Sequence, residues 1–368
     1  MSVGPANAPG RELEGLDLLR IIASLGVVFY HYGDYLSPGF WPAWIALPII
    51  PFRLWVDLFF VLSGFVISYV YAPRIGHGFG YGRFLQKRLA RLMPLHVATL
   101  LFYVALGLAT LHGVKANSMD RFDWSCLVPN LLLLHAMGIC HAVSFNTPSW
   151  SISAEMGMYI CFPLFAMLGK PARGAILWVA IIAAIVILEM VSRVPGQQYW
   201  LFRASQGGML RAVPSFMLGV VLHRNRDLLA LIPFARLLAP AALALFIGLS
   251  FTTVPYQALY ALVCVCVVLV IAVDVRGGVG PTLGAFSQLG DLTYSVYLLH
   301  LPVASVMMTI AKRLIHLHGV VLDFWVLLTF TLTMVISMLS YRYFEMPLRS
   351  SISRLGTDYR ASPGNRPV

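Results

Sequence analysis

Charge is what this chain has least of. Only 11% of its 368 residues are Asp, Glu, Lys or Arg, against about 25% in a soluble domain. A globular surface could not be clothed in polar groups from that supply, so most of the surface must face lipid. Acidic residues are the scarcer sign, 15 against 26 basic ones. Five cysteines are too few for a disulfide framework, and the excess of +11 is spread through an apolar background. A stapled secreted domain and a nucleic-acid-binding domain are thereby excluded. An apolar and aromatic content of 59% excludes disorder. The chain also lacks a repeat of fixed period, a matched pair of broken helices of the transporter kind, and any Cys/His spacing that reads as a metal site.

What it has is long apolar runs. Ten stretches approach the roughly 20 residues that a membrane helix needs: 16–36, 54–73, 94–113, 150–169, 174–192, 207–223, 237–252, 256–274, 291–314 and 320–342. The expected fold is therefore all-α, a polytopic membrane bundle of about ten transmembrane helices. An eleventh run, 127–137, is too short to span and reads as a re-entrant or interfacial helix. The first stretch reads as retained rather than cleaved, since Arg20, His31 and Asp34 interrupt it and no small-residue cleavage site follows. Residues 1–10 and 351–368 read as disordered tails, the second basic, around a membrane domain at 11–350.

Ten spans put both termini on one side. With that side cytoplasmic, eighteen basic residues fall inside, Arg11, Lys170, Arg173, Arg360 and Arg366 among them. Eight fall outside: Arg53, Lys115, Arg121, Arg193, Arg203, Arg211, Lys312 and Arg313. The positive-inside rule favours this orientation. The longest stretch between spans, 114–149, is then external and is expected to fold back as a partial lid. Cys126 and Cys140 can pair only if 127–137 doubles back, which the sequence leaves open.

Charges within spans cost several kcal/mol unless they face the protein interior, so each marks a candidate site. The first helix carries Asp17 and Arg20 near one end and His31 and Asp34 near the other. Eleven residues separate Arg20 from His31, about 16 Å of helical rise. Asp34, three residues beyond His31, is placed to orient the imidazole. Asp57 on the second span and Glu155 near the start of the fourth are expected at similar depth, so that His31, Asp34, Asp57 and Glu155 share one pocket with His31 as general base. Ser63 and Gly64 at mid-span read as a close-packing pair. On the other side, Arg83, Lys87, Arg88 and Arg91 recur with helical spacing. They fit either a membrane-surface anchor or a phosphate-binding floor, which Arg20 could join. Asp291, Tyr294, Tyr297 and His300 fall on successive turns, with Pro302 freeing a carbonyl nearby. Arg342 and Glu345 read as a local ion pair.

Six pieces in order, Arg20 with His31, VDLFFVLSGFVIS, RLARLMP, PSWSISAE, TYSVYLLH and YRYFEMPLR, resemble the acyltransferase-3 family of integral membrane O-acyltransferases across about residues 11–350. One departure is Met156, where the family usually carries a second acid, Gln or Trp. No appended hydrolase-like domain of the kind some members carry is expected, and the chemistry is expected within the bundle. The resemblance implies transfer of an acyl group, most often acetyl, from cytoplasmic acyl-CoA to a hydroxyl of an extracytoplasmic or lipid-linked carbohydrate, in a bacterial inner membrane. It implies His31, Glu155 and Asp34 as the catalytic set. Arg20, Arg83, Arg88, Arg91, Tyr294 and His300 would hold the donor. Acetyl-CoA enters as a substrate, with no permanent cofactor, no metal and no nucleic acid. Intramembrane charges equally suit a transporter or flippase of a polar glycan or acyl donor, and that alternative stays open; a membrane scaffold would need none.

Overall fold

A computed structural model describes residues 13–36, 50–75, 78–117, 120–169 and 174–355. The expected tail at 1–10, residues 356–368 of the other, residues 37–49, and Arg11, Lys170, Arg173, Arg360 and Arg366 lie outside the described residues. Among the described residues the fold is all helix, with no strand. Each of the ten apolar stretches is helical: α1 Glu14–Gly33, α2 Trp55–Tyr71, α3 Tyr81–Leu111, α4 Ser149–Leu168, α5 Gly174–Ser192, α6 Gly208–Arg224, α7 Ala235–Leu249, α8 Tyr256–Val275, α9 Thr293–Thr309 and α10 Gly319–Ser340. α11, Met346–Arg354, comes after α10 through a π turn. Among the described residues, eight segments are long and apolar enough to cross a membrane. α7, at 15 residues, and α6, at 17, are shorter than the length expected of a span.

Burial ranks these helices. The α2 segment is 78% buried and forms the centre, whereas α5 is only 22% buried and turns Val179, Ile182, Val186 and Met190 outward. With lipid as solvent, an outward apolar face needs no further partner. α2 and α6 meet at backbone distance: a Cβ on Gly64 would lie 2.1 Å from the Phe216 carbonyl oxygen, and one on Gly219 2.1 Å from that of Val61. The packing expected of Ser63 and Gly64 thus belongs to Gly64. Ser63 turns to Glu155 instead.

The same helix pair carries a buried ion pair. Arg211, counted as external by its position in the sequence, lies within α6 and grips Asp57 through Nε (3.0 Å) and Nη2 (2.5 Å), both side chains wholly buried. Nη2 also donates to the Arg53 carbonyl at 3.1 Å, and the guanidinium lies 5.1 Å from the Trp150 ring centre.

Run 127–137 does not span. A short helix, Leu127–Leu131, is followed by Leu133 at φ 56°, and Cys126 and Cys140 form a disulfide across the turn. The segment is sunk into the bundle: His96 of α3 bonds the Asn130 carbonyl at 2.8 Å, and Ser153 of α4 donates to that of Leu133 at 2.7 Å. Pro302 has no N–H for the Leu298 carbonyl four residues back, and the Asn146 amide donates to that oxygen at 3.1 Å.

The expected Arg342–Glu345 pair does not form. Glu345 accepts from Ser295 (2.6 Å) and Ser340 (2.9 Å), while Arg342 lies over the Tyr343 ring. The π turn at Tyr341–Glu345 changes the angular spacing on which an i,i+3 contact depends.

Asp57→Ala or Arg211→Ala strands a buried charge without its partner and is expected to cost about 3–5 kcal/mol. Asp57→Leu with Arg211→Met should recover most of that loss. Thermal unfolding in detergent, monitored by size-exclusion profile, measures both.

Candidate active site

Two cavities lie along α1 and α9. The first is lined by Arg20, Arg88, Arg91, Glu155, Tyr294 and Tyr297, with a volume of about 100 Å³. The second, of about 150 Å³, is lined by Tyr30, His31, Arg53, Trp150, Arg211 and Tyr297. α1 thus supplies Arg20 to the first and His31, with Tyr30, to the second, as the spacing of Arg20 and His31 predicts.

Four of the six residues expected to hold a donor meet in the first cavity: Arg20, Arg88, Arg91 and Tyr294. Arg20 is paired with Asp17 at 2.7 Å. Arg88 is braced over the rings of Tyr71, Phe84 and Tyr159, and its Nε is buried without a hydrogen-bond partner. Tyr294 donates to the Leu92 carbonyl. Three guanidinium groups face a single carboxylate, Glu155, which accepts from Ser63 (2.7 Å) and from Tyr159. The Glu155–Tyr159 spacing of four residues was a readable signal for that contact.

Arg83 is elsewhere. Its guanidinium donates to Gln86 (3.0 Å) and to the Leu355 carbonyl (3.2 Å), tying α3 to the chain after α11. Residues 84, 88 and 91 share one helix face, and 83 begins the next. His300 is also displaced from the donor set, because it lies against His31 in the second region, 3.2 Å away between ring nitrogens.

His31 therefore has different neighbours from those the sequence suggests. Its Nδ1 is 3.0 Å from the Val27 carbonyl and 3.2 Å from His300 Nε2. His300 Nδ1 lies 3.2 Å from the Val296 carbonyl. A carbonyl only accepts, so each ring carries its proton on Nδ1, and His300 Nε2 shares the Nδ1–H of His31. That leaves Nε2 of His31 unprotonated for the cavity that the ring lines. Tyr32 fixes the His300 turn by donating to its backbone carbonyl at 2.8 Å.

Asp34, expected to orient His31, is exposed at the end of α1. Helical side chains lean toward the N-terminus, so His31 reaches back to Val27 and away from Asp34. Asp57 is taken by Arg211. Glu155 lies in the other cavity because α4 starts below the surface: Asn146, Ser149 and Ser151 are already buried, and depth counted from the helix start is offset accordingly. His31, Asp34, Asp57 and Glu155 thus share no pocket: His31 and Glu155 line separate cavities, and Asp34 and Asp57 line neither. Sequence reasoning missed Arg53, Arg211 and the position of Tyr297 between the cavities. Among the described residues no group of three or more His, Cys, Asp or Glu could hold a metal ion.

A family model described as an acyltransferase domain matches residues 13–342. Acyltransferase MdmB of Streptomyces mycarofaciens is 30% identical over 142 residues, 37% of this chain and 35% of that one. A Bacillus subtilis protein named Putative peptidoglycan O-acetyltransferase YrhL is 27% identical over 175 residues, 43% of this chain and 24% of its own length. A Staphylococcus aureus (strain COL) protein named as a putative O-acetyltransferase is 24% identical over 378 residues, 92% of this chain and 58% of its own. The chain thus spans between a quarter and three-fifths of these relatives. No solved structure matches it. With the family model matched over nearly its whole length and a bundle of lipid-facing helices, the chain belongs to the acyltransferase-3 family of multi-pass membrane proteins.

Proposed function

We propose that this chain moves an acyl group, acetyl in the first instance, from acyl-CoA to a carbohydrate hydroxyl. The observation that carries the reading is the succession of a guanidinium-lined cavity and an imidazole-lined cavity within one bundle, with His31 Nε2 left free to take a proton. Arg88 and Arg91, with Arg20 beside them, suit the phosphates of a nucleotide donor, since guanidinium groups bind such anions through paired hydrogen bonds. The acceptor oxygen attacks the thioester carbonyl as His31 Nε2 removes its proton. The C–O bond forms, the C–S bond breaks, and the proton passes to the departing thiolate. His300 and the Val27 carbonyl keep the other nitrogen protonated and the ring in place, the roles that residue spacing suggests for Asp34 and Glu155. Arg53, in the same cavity, is positioned to favour negative charge on the carbonyl oxygen during attack.

The relative named for peptidoglycan O-acetylation supports a cell-envelope carbohydrate as acceptor. The excess of basic residues on one side supports cytoplasmic termini, in a bacterial inner membrane. The Cys126–Cys140 disulfide fits an oxidising compartment for the 114–149 segment, which that orientation places outside. Residues 11–350 would form the transferase unit.

Purified protein in liposomes, given radiolabelled acetyl-CoA and envelope glycans, should transfer label covalently; movement of glycan without label would favour transport. His31→Ala should lower kcat by about 10²–10⁴-fold, and undiminished transfer would rule out the base assigned here. His300→Ala should lower kcat less, with KM for the donor little changed. Arg88→Ala and Arg91→Ala should each raise the donor KM about 10–100-fold, as loss of a charge-assisted hydrogen bond worth about 1.5–3 kcal/mol requires. Steady-state kinetics with donor varied separates these outcomes.

A further inference from the structure

The two cavities share one wall. Tyr297 of α9 lines both, and its hydroxyl lies 2.8 Å from Ser151 Oγ of α4. Both residues are buried. The wall falls between consecutive residues of α4, because Trp150 lines the imidazole cavity and Ser151 the basic one. α2 divides in the same way: Val56 faces the imidazole side and Phe59 the basic side, with the Phe59 ring edge-on to Tyr297 at 5.9 Å. One turn further along α9 is His300, the partner of His31. One turn back is Tyr294, a wall of the basic cavity. The Tyr297 phenol, held by a hydrogen bond to Ser151, is thus common to the wall of the Arg20, Arg88 and Arg91 cavity and that of the His31 cavity.

The geometry points to Tyr297 as the residue that limits acyl-chain length and keeps the thioester from water until an acceptor is present. This rests on the acyl-CoA reading given above. A donor held by Arg88 and Arg91 must pass its acyl carbon across the plane of Tyr297 to reach His31 Nε2. The hydrogen bond to Ser151 is the latch, and the ring, once displaced, leaves a passage whose width limits the alkyl chain attached to the carbonyl. A two-carbon acyl group needs the smallest opening, and each added methylene must be accommodated beside Phe59 and Trp150. Latched, the ring separates the thioester from the cavity in which an acceptor hydroxyl, or water, would meet the base. The hydroxyl and the ring thus have separable roles, which gives the test its resolution.

Wild type, Tyr297→Phe, Tyr297→Leu, Tyr297→Ala and Ser151→Ala are compared in liposomes with acetyl-, butyryl- and hexanoyl-CoA, measuring transfer to acceptor and release of free thiol without acceptor. Tyr297→Leu and Tyr297→Ala should raise the butyryl-to-acetyl ratio of kcat/KM at least about tenfold, the scale on which a pocket discriminates methylenes. Tyr297→Phe and Ser151→Ala keep the ring, so the ratio should stay within about twofold of wild type while acceptor-free thiol release rises several-fold, the latch being one neutral hydrogen bond. Should Tyr297→Ala not assemble, Tyr297→Leu reads chain length and Ser151→Ala reads the latch from another helix. Unchanged chain-length ratios in the Leu and Ala variants, or unchanged thiol release in the Phe and Ser151→Ala variants, overturn the inference while wild-type transfer stands. A wild type that uses no acyl-CoA overturns it together with the function on which it rests.

Discussion

Two opposite charges are locked together, both side chains wholly buried in the bundle. Taking Asp57 and Arg211 out of solvent costs several kcal/mol per ion, and their attraction offsets this only with good geometry and every remaining donor engaged. Here the geometry is bidentate, the outer nitrogens reach the carbonyls of Arg53 and Arg203, and the flat face lies near Trp150. Those partners come from the turn before α2, the turn before α6 and the first turn of α4. A single guanidinium thereby fixes three chain segments, and these segments supply Arg53 and Trp150 to the cavity beside His31. The close approach of α2 and α6 at Gly64 and Gly219 lets the pair meet. Cavity shape and ion-pair geometry are one constraint.

The chemistry-bearing groups are carried on rods. α1 supplies Arg20 and His31; α9 supplies Tyr294, Tyr297 and His300; α4 supplies Trp150, Ser151 and Glu155. A helix holds the axial distance between its own residues almost invariant, so the separation of the two cavities is set by covalent geometry. Only sideways packing needs tuning, and that depends on small residues and interhelical hydrogen bonds. The outer helices can vary in apolar sequence without touching this spacing, because lipid receives any apolar face.

The helices were legible because runs of about twenty apolar residues admit few other structures in lipid. Arg20 and His31 were legible because charge in such a run is costly wherever it faces lipid. What could not be read was which side chain meets which. Asp34 looked adjacent to His31 by residue count, yet side-chain direction along a helix separates them. Glu155 was misplaced because depth was counted from a helix start that is itself buried. Arg211 lay inside the 207–223 run yet was counted with the external charges, because an arginine in the first turn of a helix can reach the surface; in the fold it turns inward to Asp57. Arg83 and Arg88 differ only in the helix face they occupy, which periodicity gives, but which face meets the cavity depends on α11.

The Asn146 bond to the Leu298 carbonyl sets an order of events during synthesis. Its two ends are 152 residues apart in the chain, about 8–30 s of translation at 5–20 residues per second. Until α9 arrives, the 120–148 segment holds polar groups whose final partner has not been made. Its anchorage to α3 and α4 can form early, but the closing contact waits for α9, the helix that contains Pro302. The seating of the segment thus depends on the arrival of α9.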